Sequence, residues 1–302
     1  MKEPVKATIK LTFSGHETFH CRHMWLKKGY DFIKGGGKFT NEDAVVELGV
    51  GKNMVSAIQY WVKAFGIIDK EGKLTEFADY ILGQAGRDPY LEDEATLWLL
   101  HYQLVKNNLA SLYNIIFNEY RREKVEFTKE NLVLYILRKA EELNITQINK
   151  NTLISDFDVL IKMYIRGDAQ SKDREDTFSG ILSELNVIKE ERRKTDDKTS
   201  TFYSIPTDEK SEIPEEVLLF GILDNEDFDK SVSLFHIEQG KNQIGSVFAI
   251  GRSGLINKIE SLAANPKFKK AGIIFNDHAG IKELQFKSKP NKYEVLDKYY
   301  GN

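Results

Sequence analysis

The sequence is poor in several features that would place it in a specialised class of protein. Its 302 residues include one cysteine, Cys21, which excludes an intramolecular disulfide framework and is typical of a reducing cytoplasm. No apolar run approaches the roughly 20 residues of a membrane span. The first residues, 1–4, lack the hydrophobic stretch of a signal peptide. We therefore expect a cytoplasmic protein without a membrane partner.

The chain also lacks a strong excess of one charge and the common motifs of phosphate and acyl chemistry. Its formal net charge is −3, so contact with nucleic acid would have to come from local basic patches. There is no P-loop, no dinucleotide-binding glycine motif after a strand and no nucleophile elbow. Asp208-Glu209-Lys210 has the residue types of a carboxylate–lysine nuclease site, but it lies in a charged segment, 207–216, that we interpret as a linker.

Histidine, in contrast, is concentrated near the N-terminus. Three of the six histidines, His16, His20 and His23, lie with Cys21 inside one eight-residue window. His16-Glu17-Thr18-Phe19-His20 matches the H-E-x-x-H pattern of zincin metalloproteases, in which one helix face presents two zinc-binding imidazoles and the glutamate activates water. The preceding Ser14-Gly15 predicts a turn instead of that helix, and no third ligand follows at a usual spacing. A structural metal site and a polar turn that bonds local backbone remain open as alternatives.

The whole string resembles a known motif. Ser14-Gly15-His16-Glu17-Thr18-Phe19, then Arg22, then Trp25-Leu26-Lys27-Lys28-Gly29 is similar to the N-terminal motif of a prokaryotic domain family of unknown function. Members of that family are similar to SspB, the DNA-nicking component of single-strand DNA phosphorothioation defence systems. Three later segments also resemble the family: a mid-chain helix around Phe157–Leu160 and Tyr164, and closing strands at 247–250 and 272–280.

The resemblance implies roles for specific residues. His16, Glu17 and Arg22 match the family motif and become the candidate catalytic residues, with His16 as base or metal ligand and Glu17 as metal ligand. Arg22 or Lys27 would clamp a phosphate. A histidine at the position of His20 is not part of the family motif, although the literal H-E-x-x-H pattern would make His16, Glu17 and His20 the metal ligands. A divalent metal, Mg²⁺ or Mn²⁺, is the expected cofactor.

Residues 41–82 predict a winged helix-turn-helix unit. Asn41 is expected to cap a first helix, Gly49-Val50-Gly51 predicts a tight turn, and Asn53 is expected to cap a second helix. A polar turn at 69–73 then separates short apolar runs, as in a wing. The second helix has no acidic residue and supplies types that contact phosphates and base edges, so we predict DNA contacts by Lys52, Asn53, Ser56, Gln59, Tyr60 and Lys63. Lys27 and Lys28 are predicted to extend this basic surface from the His-Glu motif. A solvated or protein-binding face is the alternative.

The rest of the chain predicts a buried scaffold and a second winged unit. The apolar helical stretch 91–120 indicates a scaffold, in which His101 is expected to be a satisfied core histidine. Thr128 begins a capping-box pattern, helices are expected at 150–165 and 176–187, and strands at 187–191 and 201–205 would flank a basic turn. Two arginines of that turn, Arg192 and Arg193, are predicted to grip DNA phosphate, with a solvated hairpin as the alternative.

These patterns together predict a mainly α fold with tandem winged helix-turn-helix-like modules, β-hairpin wings and a small α+β C-terminal part. We expect four units: 1–85 with the His-Glu motif and the first winged module, 86–127 as helical scaffold, 128–206 as the second winged-helix-like module, and 207–302 as the C-terminal domain.

The resemblance implies a DNA-binding component of a phosphorothioation-linked or related antiphage system. A metal-dependent endonuclease that nicks one strand is one hypothesis for its activity. A non-catalytic DNA-binding adaptor that recruits an ATPase or sulfur-transfer enzyme is a second, and a transcriptional regulator of a defence operon is a third. DNA is the expected partner in all three.

Overall fold

The fold is mainly helical, with two small antiparallel sheets. The computed structural model describes residues 11–167, 179–195, 198–225, 228–278 and 280–301. Its helices are α1 Trp25–Lys34, α2 Ala44–Leu48, α3 Lys52–Ala64, α4 Glu76–Leu82, α5 Glu94–Asn107, α6 Ser111–Ile115, α7 Arg121–Glu123, α8 Lys129–Glu142, α9 Lys150–Tyr164, α10 Glu215–Leu223, α11 Leu234–Gln239, α12 Ile244–Val247, α13 Arg252–Ala264 and α14 Lys292–Tyr300. The strands are β1 Glu126–Phe127, β2 Lys189–Thr195, β3 Lys198–Ser204, β4 Ser231–Ser233, β5 Ile273–His278 and β6 Ile281–Phe286.

The first helical unit contains the expected helix–glycine turn–helix order. Gly49 ends α2 in the left-handed conformation (φ 63°), which glycine adopts without strain. The predicted caps are wrong: the N-cap positions are Asp43 for α2 and Gly51 for α3, and neither helix has a side-chain cap. The segment after α3 folds back through one antiparallel bridge between Ile68 and Leu74. Thr75 caps α4 by accepting a hydrogen bond from the Ala78 amide. The expected wing is therefore reduced to a single bridge.

The scaffold predicted at 91–120 is interrupted. Helix α5 ends at Asn108 in the left-handed conformation (φ 59°), and the chain restarts as α6, followed by a π-helical turn at Ile116–Tyr120. Both segments are buried on several faces, as the apolar pattern predicts. One continuous hydrophobic core includes residues from all four of the expected units, and the division into units remains a prediction.

The second unit, 126–204, combines two helices with a three-stranded sheet of order β1–β3–β2. Thr128 and Asn131 form the predicted capping box at the start of α8. The predicted helix at 176–187 is wrong over its described part. Gly180 lies so close to the backbone of α9 that a Cβ would meet Met163 Cα at 2.5 Å, and only a short 3₁₀ turn, Ser183–Leu185, follows. Residues 176–178 lie outside the described part.

The β2–β3 hairpin is longer than the sequence predicts. The ladder runs from the pair Lys189–Ser204 to the pair Thr195–Lys198, so Arg192 and Arg193 lie within a strand and not in the turn. The polar composition of this segment predicts a loop, but the segment forms a regular antiparallel ladder. Polar side chains are compatible with a strand whose face is exposed to solvent. Residues 196 and 197 lie outside the described part.

The C-terminal part contains helices α10–α14 and the second sheet, of order β4–β6–β5. The expectation of a strand at 247–250 is wrong, since Val247 ends α12 and Ile250 makes only an isolated bridge to Asp208. Helix α14 returns to the first unit, where Asp297 accepts hydrogen bonds from Tyr80 and Arg87. No helix in the described part of the chain combines the length and the apolar character that a bilayer crossing needs.

Candidate functional site

The His-Glu motif forms a turn with unusual backbone dihedral angles. Ser14, Glu17 and Thr18 have positive φ values of 67°, 48° and 67°, and Gly15 has a φ of 99°. A left-handed conformation is unfavourable for residues with a side chain, most of all for a β-branched one. Such strain of about 1 kcal/mol or more per residue persists only where surrounding contacts enforce it. The motif is not a zincin helix, as the preceding Ser14-Gly15 predicts.

Aromatic side chains of α3 hold this turn in place. A Cβ at Gly15 would approach the Tyr60 ring at 2.8 Å, so the turn lies directly on that ring. The His16 imidazole stacks on Trp61, with ring centroids 5.8 Å apart and planes 7° apart. The indole N–H of Trp61 donates to the carbonyl of Phe19 at 2.9 Å. These contacts fix the turn against the second half of α3.

Asp156 of α9 connects the turn to the second unit. Its two carboxylate oxygens accept hydrogen bonds from the Ser14 amide at 3.1 and 2.9 Å, and His16 Nε2 lies 3.1 Å from Oδ1. Both side chains are buried, with 4% of His16 and 6% of Asp156 exposed. A carboxylate accepts hydrogen bonds, so Nε2 carries the proton. In the neutral ring Nδ1 is then an acceptor, and it has no partner among the described residues.

The pair lies at the wall of a polar cleft of about 520 Å³ between the two units. The lining residues come from the motif turn and from the first turns of α3 and α9: Ser14, His16, Glu17, Thr18, Asn53, Asn151, Thr152, Ser155 and Asp156. Helix α3 begins at Gly51 without a side-chain cap, whereas the Asn149 side chain accepts from the Asn151 amide at the start of α9. Helix N-termini present amide donors and a partial positive charge, so this cleft suits an anionic oxygen ligand.

The predicted catalytic residues separate into two groups. His16 and Glu17 line the cleft, and Glu17 is exposed. Arg22 is not among the lining residues; its guanidinium lies over the Trp25 ring, 5.3 Å from the centroid, and its backbone forms a bridge with Gly180. Arg22 therefore helps to hold the motif segment against the second unit.

The predicted DNA-binding residues of the first unit differ in their surroundings. Lys27 forms an ion pair with Asp31 at 2.6 Å, and Lys28 donates to the carbonyl of Leu48 at the end of α2. Lys52 and Asn53 are exposed at the start of α3. The remaining four are partly buried: Ser56, Gln59, Tyr60 and Lys63. Of the whole set, Asn53 alone lines the cleft, and DNA contact by these residues remains a prediction.

The two wing arginines are engaged with carboxylates. Arg193 donates to both carboxylate oxygens of Glu126 and of Glu191, which holds the pKa of the Glu191 carboxyl below its usual value. Arg192 pairs with Glu190 at 2.9 Å. Of these exposed pairs, the one between Arg193 and Glu126 joins two strands, and the other two lie within β2. A DNA phosphate would have to compete with them for the guanidinium groups.

Comparison with known proteins places the chain in a family. The family model described as "Protein of unknown function (DUF4007)" matches residues 13–300, nearly the whole length. The chain belongs to the DUF4007 family. It is similar to two crystal structures of SspB, one of them magnesium-bound. Each has 27% sequence identity and a TM-score of 0.81, and the match covers 96% of this chain and 88% of the SspB chain. No curated protein matches the chain significantly.

The SspB structure with magnesium raises the question of whether this DUF4007 chain has suitable ligands. In the described part of the chain, no three His, Cys, Asp or Glu side chains are grouped so that they could hold a metal ion. His16, Glu17 and His20 therefore form no such group, and His20 and Cys21 are buried. Magnesium, however, is commonly held by one or two carboxylates together with water and phosphate oxygens. Glu17 and the amide and hydroxyl oxygens of the cleft fit that kind of site.

Asp156 is the residue of the candidate site that sequence reasoning missed in this DUF4007 chain. It lies 140 positions from His16, and a single sequence contains no information about that pairing. One signal was present: Leu153, Phe157 and Leu160 mark the buried face of α9, and Asp156 falls on that face. A carboxylate at a core position is rare unless it has a partner. Asn151, Thr152 and Ser155 would not be found by this criterion, because polar residues near the start of a helix are common and do not stand out.

Proposed function

We propose that this chain is a DNA-binding component of a phosphorothioation-linked or related antiphage system, and that it nicks one DNA strand in the cleft beside His16. The similarity to SspB over nearly the whole chain supports the link to phosphorothioation. The observation that carries the proposal is the buried His16–Asp156 pair, which joins a strained turn to the edge of a cleft bounded by two helix N-termini.

The topology supports a winged-helix interpretation of both units. In the second unit β1 pairs with β3, β3 pairs with β2, and α8 and α9 lie between β1 and the hairpin. In this interpretation α9 is the recognition helix of the second unit and α3 that of the first. Recognition helices contact DNA through their N-terminal residues. The cleft is bounded by these ends of α3 and α9, so DNA that reached both helices would pass over His16.

The lining residues match the chemistry of a phosphodiester. Asn53, Asn151 and Thr152 supply amide and hydroxyl donors in the first turns of their helices, and the helix dipoles favour a negative charge there. Glu17 adds a carboxylate for a divalent ion. When bound, such an ion would stabilise the negative charge that develops on the phosphate.

His16 has the features of a general base. Asp156 fixes the proton on Nε2, so Nδ1 keeps its lone pair. Because Nδ1 is buried in this structure, the motif turn must open toward the cleft before Nδ1 can take a proton from the attacking water. The oxygen of that water forms the new bond to phosphorus, and the bond from phosphorus to one ester oxygen breaks. The departing oxygen takes up a proton, and the product is one interrupted strand. Asp156 acts through His16 and is thus a positioning residue.

A non-catalytic adaptor is the second candidate function, and the burial of the pair favours it. With 4% of His16 exposed, the pair also serves to fix the turn on α9 without touching DNA. Such an adaptor would bind duplex DNA in a salt-dependent way and recruit a partner such as an ATPase or a sulfur-transfer enzyme. It would show no turnover.

Plasmid nicking distinguishes the two. Supercoiled plasmid is incubated with the full chain and Mg²⁺, Mn²⁺ or chelator, using wild type, His16→Asn, Glu17→Gln and the control His23→Gln, whose exposed side chain is not among the cleft-lining residues. We expect metal-dependent open circles with wild type and His23→Gln, and a loss of at least about 100-fold in the other two. Undiminished nicking by His16→Asn and Glu17→Gln would place the activity elsewhere. Plasmid binding without nicking by wild type would favour the adaptor.

A further inference from the structure

Three arginines surround two adjoining clefts that are separate from the His16 site. Arg121 and Arg122 form the start of α7, and Arg252 is the first residue of α13. Arg122 and Arg252 line both clefts, of about 570 and 360 Å³, and Arg121 lines the smaller. Glu238 and Gln239 are also shared by both. None of these residues lines the cleft beside His16.

Arg121 is a largely buried cation whose hydrogen bonds all go to neutral groups. Its guanidinium donates to the carbonyls of Phe117, Ser246 and Gly245, at 2.8 to 3.1 Å, and to the Thr207 hydroxyl at 3.0 Å. Burial and the neighbouring Arg122 lower the pKa of Arg121 to about 10. Buried charges are usually paired with an opposite charge, and among the described residues Arg121 has no carboxylate partner.

The local charge balance is positive. Arg122 donates to the Gln239 carbonyl at 2.8 Å and to the Ser246 hydroxyl, and burial lowers the pKa of its guanidinium as well. Arg252 pairs with Glu238 at 2.7 Å. Glu238 is the one carboxylate among the residues that line the two clefts. Three guanidinium groups thus share one lining carboxylate. Glu119 also interacts with Arg122, but it is paired with Lys139, so the lining keeps an excess of positive charge.

Two neighbouring features favour a phosphate that belongs to a nucleotide. Helix α13 is 13 residues long, and its N-cap residue, Gly251, provides no side-chain cap, so its first amides can donate to an anion beside the arginines. The ring of Phe235 is 70% exposed and lines the larger cleft. Exposed aromatic rings stack on nucleobases in sites for single-stranded nucleic acid.

We propose that the arginine clefts bind a nucleoside phosphate, with the phosphate on Arg122, Arg252 and the start of α13, and the base on Phe235. Arg121 fixes the floor and adds positive charge. The ligand is either a unit of a single DNA strand or a free nucleotide, since both present the same chemistry. This site is independent of the nicking proposal, because it shares no residue with the cleft of His16.

The test uses the full chain and a fluorescein-labelled single-stranded thymidine 12-mer, followed by anisotropy. Competitors are unlabelled 12-mer, thymidine monophosphate and thymidine. Arg122→Gln and Arg252→Gln remove charge at exposed positions, and each is expected to weaken binding about tenfold. Arg138→Gln removes an exposed arginine that pairs with Glu123 and Glu142, outside both clefts, and is the matched control.

The outcomes distinguish the sources of the ligand. Competition by thymidine monophosphate at concentrations near those of the 12-mer identifies a nucleotide site, and competition by the 12-mer alone identifies a strand site; both support the proposal. Equal competition by thymidine, or equal weakening by Arg138→Gln and Arg122→Gln, overturns it. Unchanged binding by Phe235→Ala overturns the assignment of the base to that ring. The His16→Asn variant is expected to lose nicking but to bind the 12-mer normally, and adding Arg122→Gln to it should still weaken that binding. Failure of one proposal is therefore separable from failure of the other.

Discussion

Two buried histidines lie in regions of opposite character. His101 of α5 has both ring nitrogens satisfied, Nδ1 by the Tyr164 hydroxyl at 2.7 Å and Nε2 by the Val247 carbonyl at 2.8 Å. His16 has Nε2 on Asp156, while Nδ1 has no partner in the described part of the chain. His101 lies in a regular helix among aromatic rings, whereas His16 lies in a turn with positive φ angles beside a cleft.

The difference shows how a structural histidine can be separated from a candidate functional one. Burial alone does not distinguish them, since His101 is 0% and His16 4% exposed. The two histidines differ in whether both ring nitrogens have hydrogen-bond partners and in the strain of the local backbone. Most buried polar atoms are paired, but the Trp98 indole nitrogen and the Tyr113 and Tyr120 hydroxyls also lack a partner in the described part of the chain. What sets His16 apart is that its unmet acceptor coincides with backbone strain, a combination that costs folding free energy and is typical of functional sites. Each prediction below tests one side of this contrast.

The largest effect on stability is expected at His101. His101→Ala removes a ring packed against Phe117 and leaves the Tyr164 hydroxyl and the Val247 carbonyl without a partner. Cavity formation and two unmet buried groups together lower the free energy of unfolding by about 4 kcal/mol. Urea denaturation measures this loss, with His16→Ala in parallel. For His16→Ala we expect a smaller loss of about 2 kcal/mol in the free energy of unfolding, because one nitrogen of His16 has no protein partner to lose. An equal loss for both variants would contradict the contrast.

Acid should destabilise the protein through His101. Burial lowers the pKa of His101 to about 4, whereas the Val247 carbonyl opposes that shift. The unfolded chain takes up this proton near pH 6.5 and the folded chain only near pH 4. The contribution of neutral His101 to the free energy of unfolding is therefore complete above pH 6.5. It is lost as the pH falls to 4, by about 3 kcal/mol. Urea midpoints from pH 7 to 4 measure the loss.

His101→Gln supplies the control for the pH dependence. Glutamine retains donor and acceptor atoms but has no titrating ring, so its unfolding free energy should fall less steeply between pH 6.5 and 4 than that of the wild type. An identical slope in the two proteins would show that other groups dominate the acid response.

Asp156→Asn should loosen the contact between the two units at an intermediate cost. The carboxylate of Asp156 accepts hydrogen bonds through both of its oxygens. In asparagine only the amide oxygen can accept, from His16 or from Ser14, and the NH₂ group then lies against another donor. We expect a loss of about 2 kcal/mol in the free energy of unfolding. In nicking assays His16→Asn and Asp156→Asn should lose activity together, and the double variant should lose little more than either single variant. Additive losses would show that the two side chains act separately.

The sequence predicts the His101 side of the comparison better than the His16 side. An apolar helix that surrounds a histidine predicts a core residue, and the capping box at Thr128 and Asn131 is a local pattern that formed as expected. Both predictions depend on residues a few positions apart, whereas the hydrogen-bond partners of His101, Tyr164 and Val247, lie 63 and 146 positions away and were not predicted. The His16 site depends on Asp156, 140 residues away, and on a backbone conformation at Thr18 that residue type argues against. The length of the β2–β3 hairpin was missed for a related reason, since ladder pairs between polar residues, such as Arg193 with Ser200, extend it beyond the predicted strands.

The smallest predicted effect has the opposite sign. Thr18 holds a positive φ of 67°, and β-branched residues are the least suited to this conformation. Thr18→Gly should relieve that strain at the expense of greater freedom in the unfolded chain, with a net gain of about 0.5 kcal/mol in stability. Because the turn then becomes less constrained, nicking should fall while stability rises, a combination that His101 variants cannot produce. Urea denaturation beside the plasmid assay measures both, with Thr152→Gly as a control in the same cleft but within a helix, where glycine costs about 1 kcal/mol. A loss of stability in Thr18→Gly would mean that contacts of the threonine side chain outweigh the strain, and the turn would then resemble the region of His101.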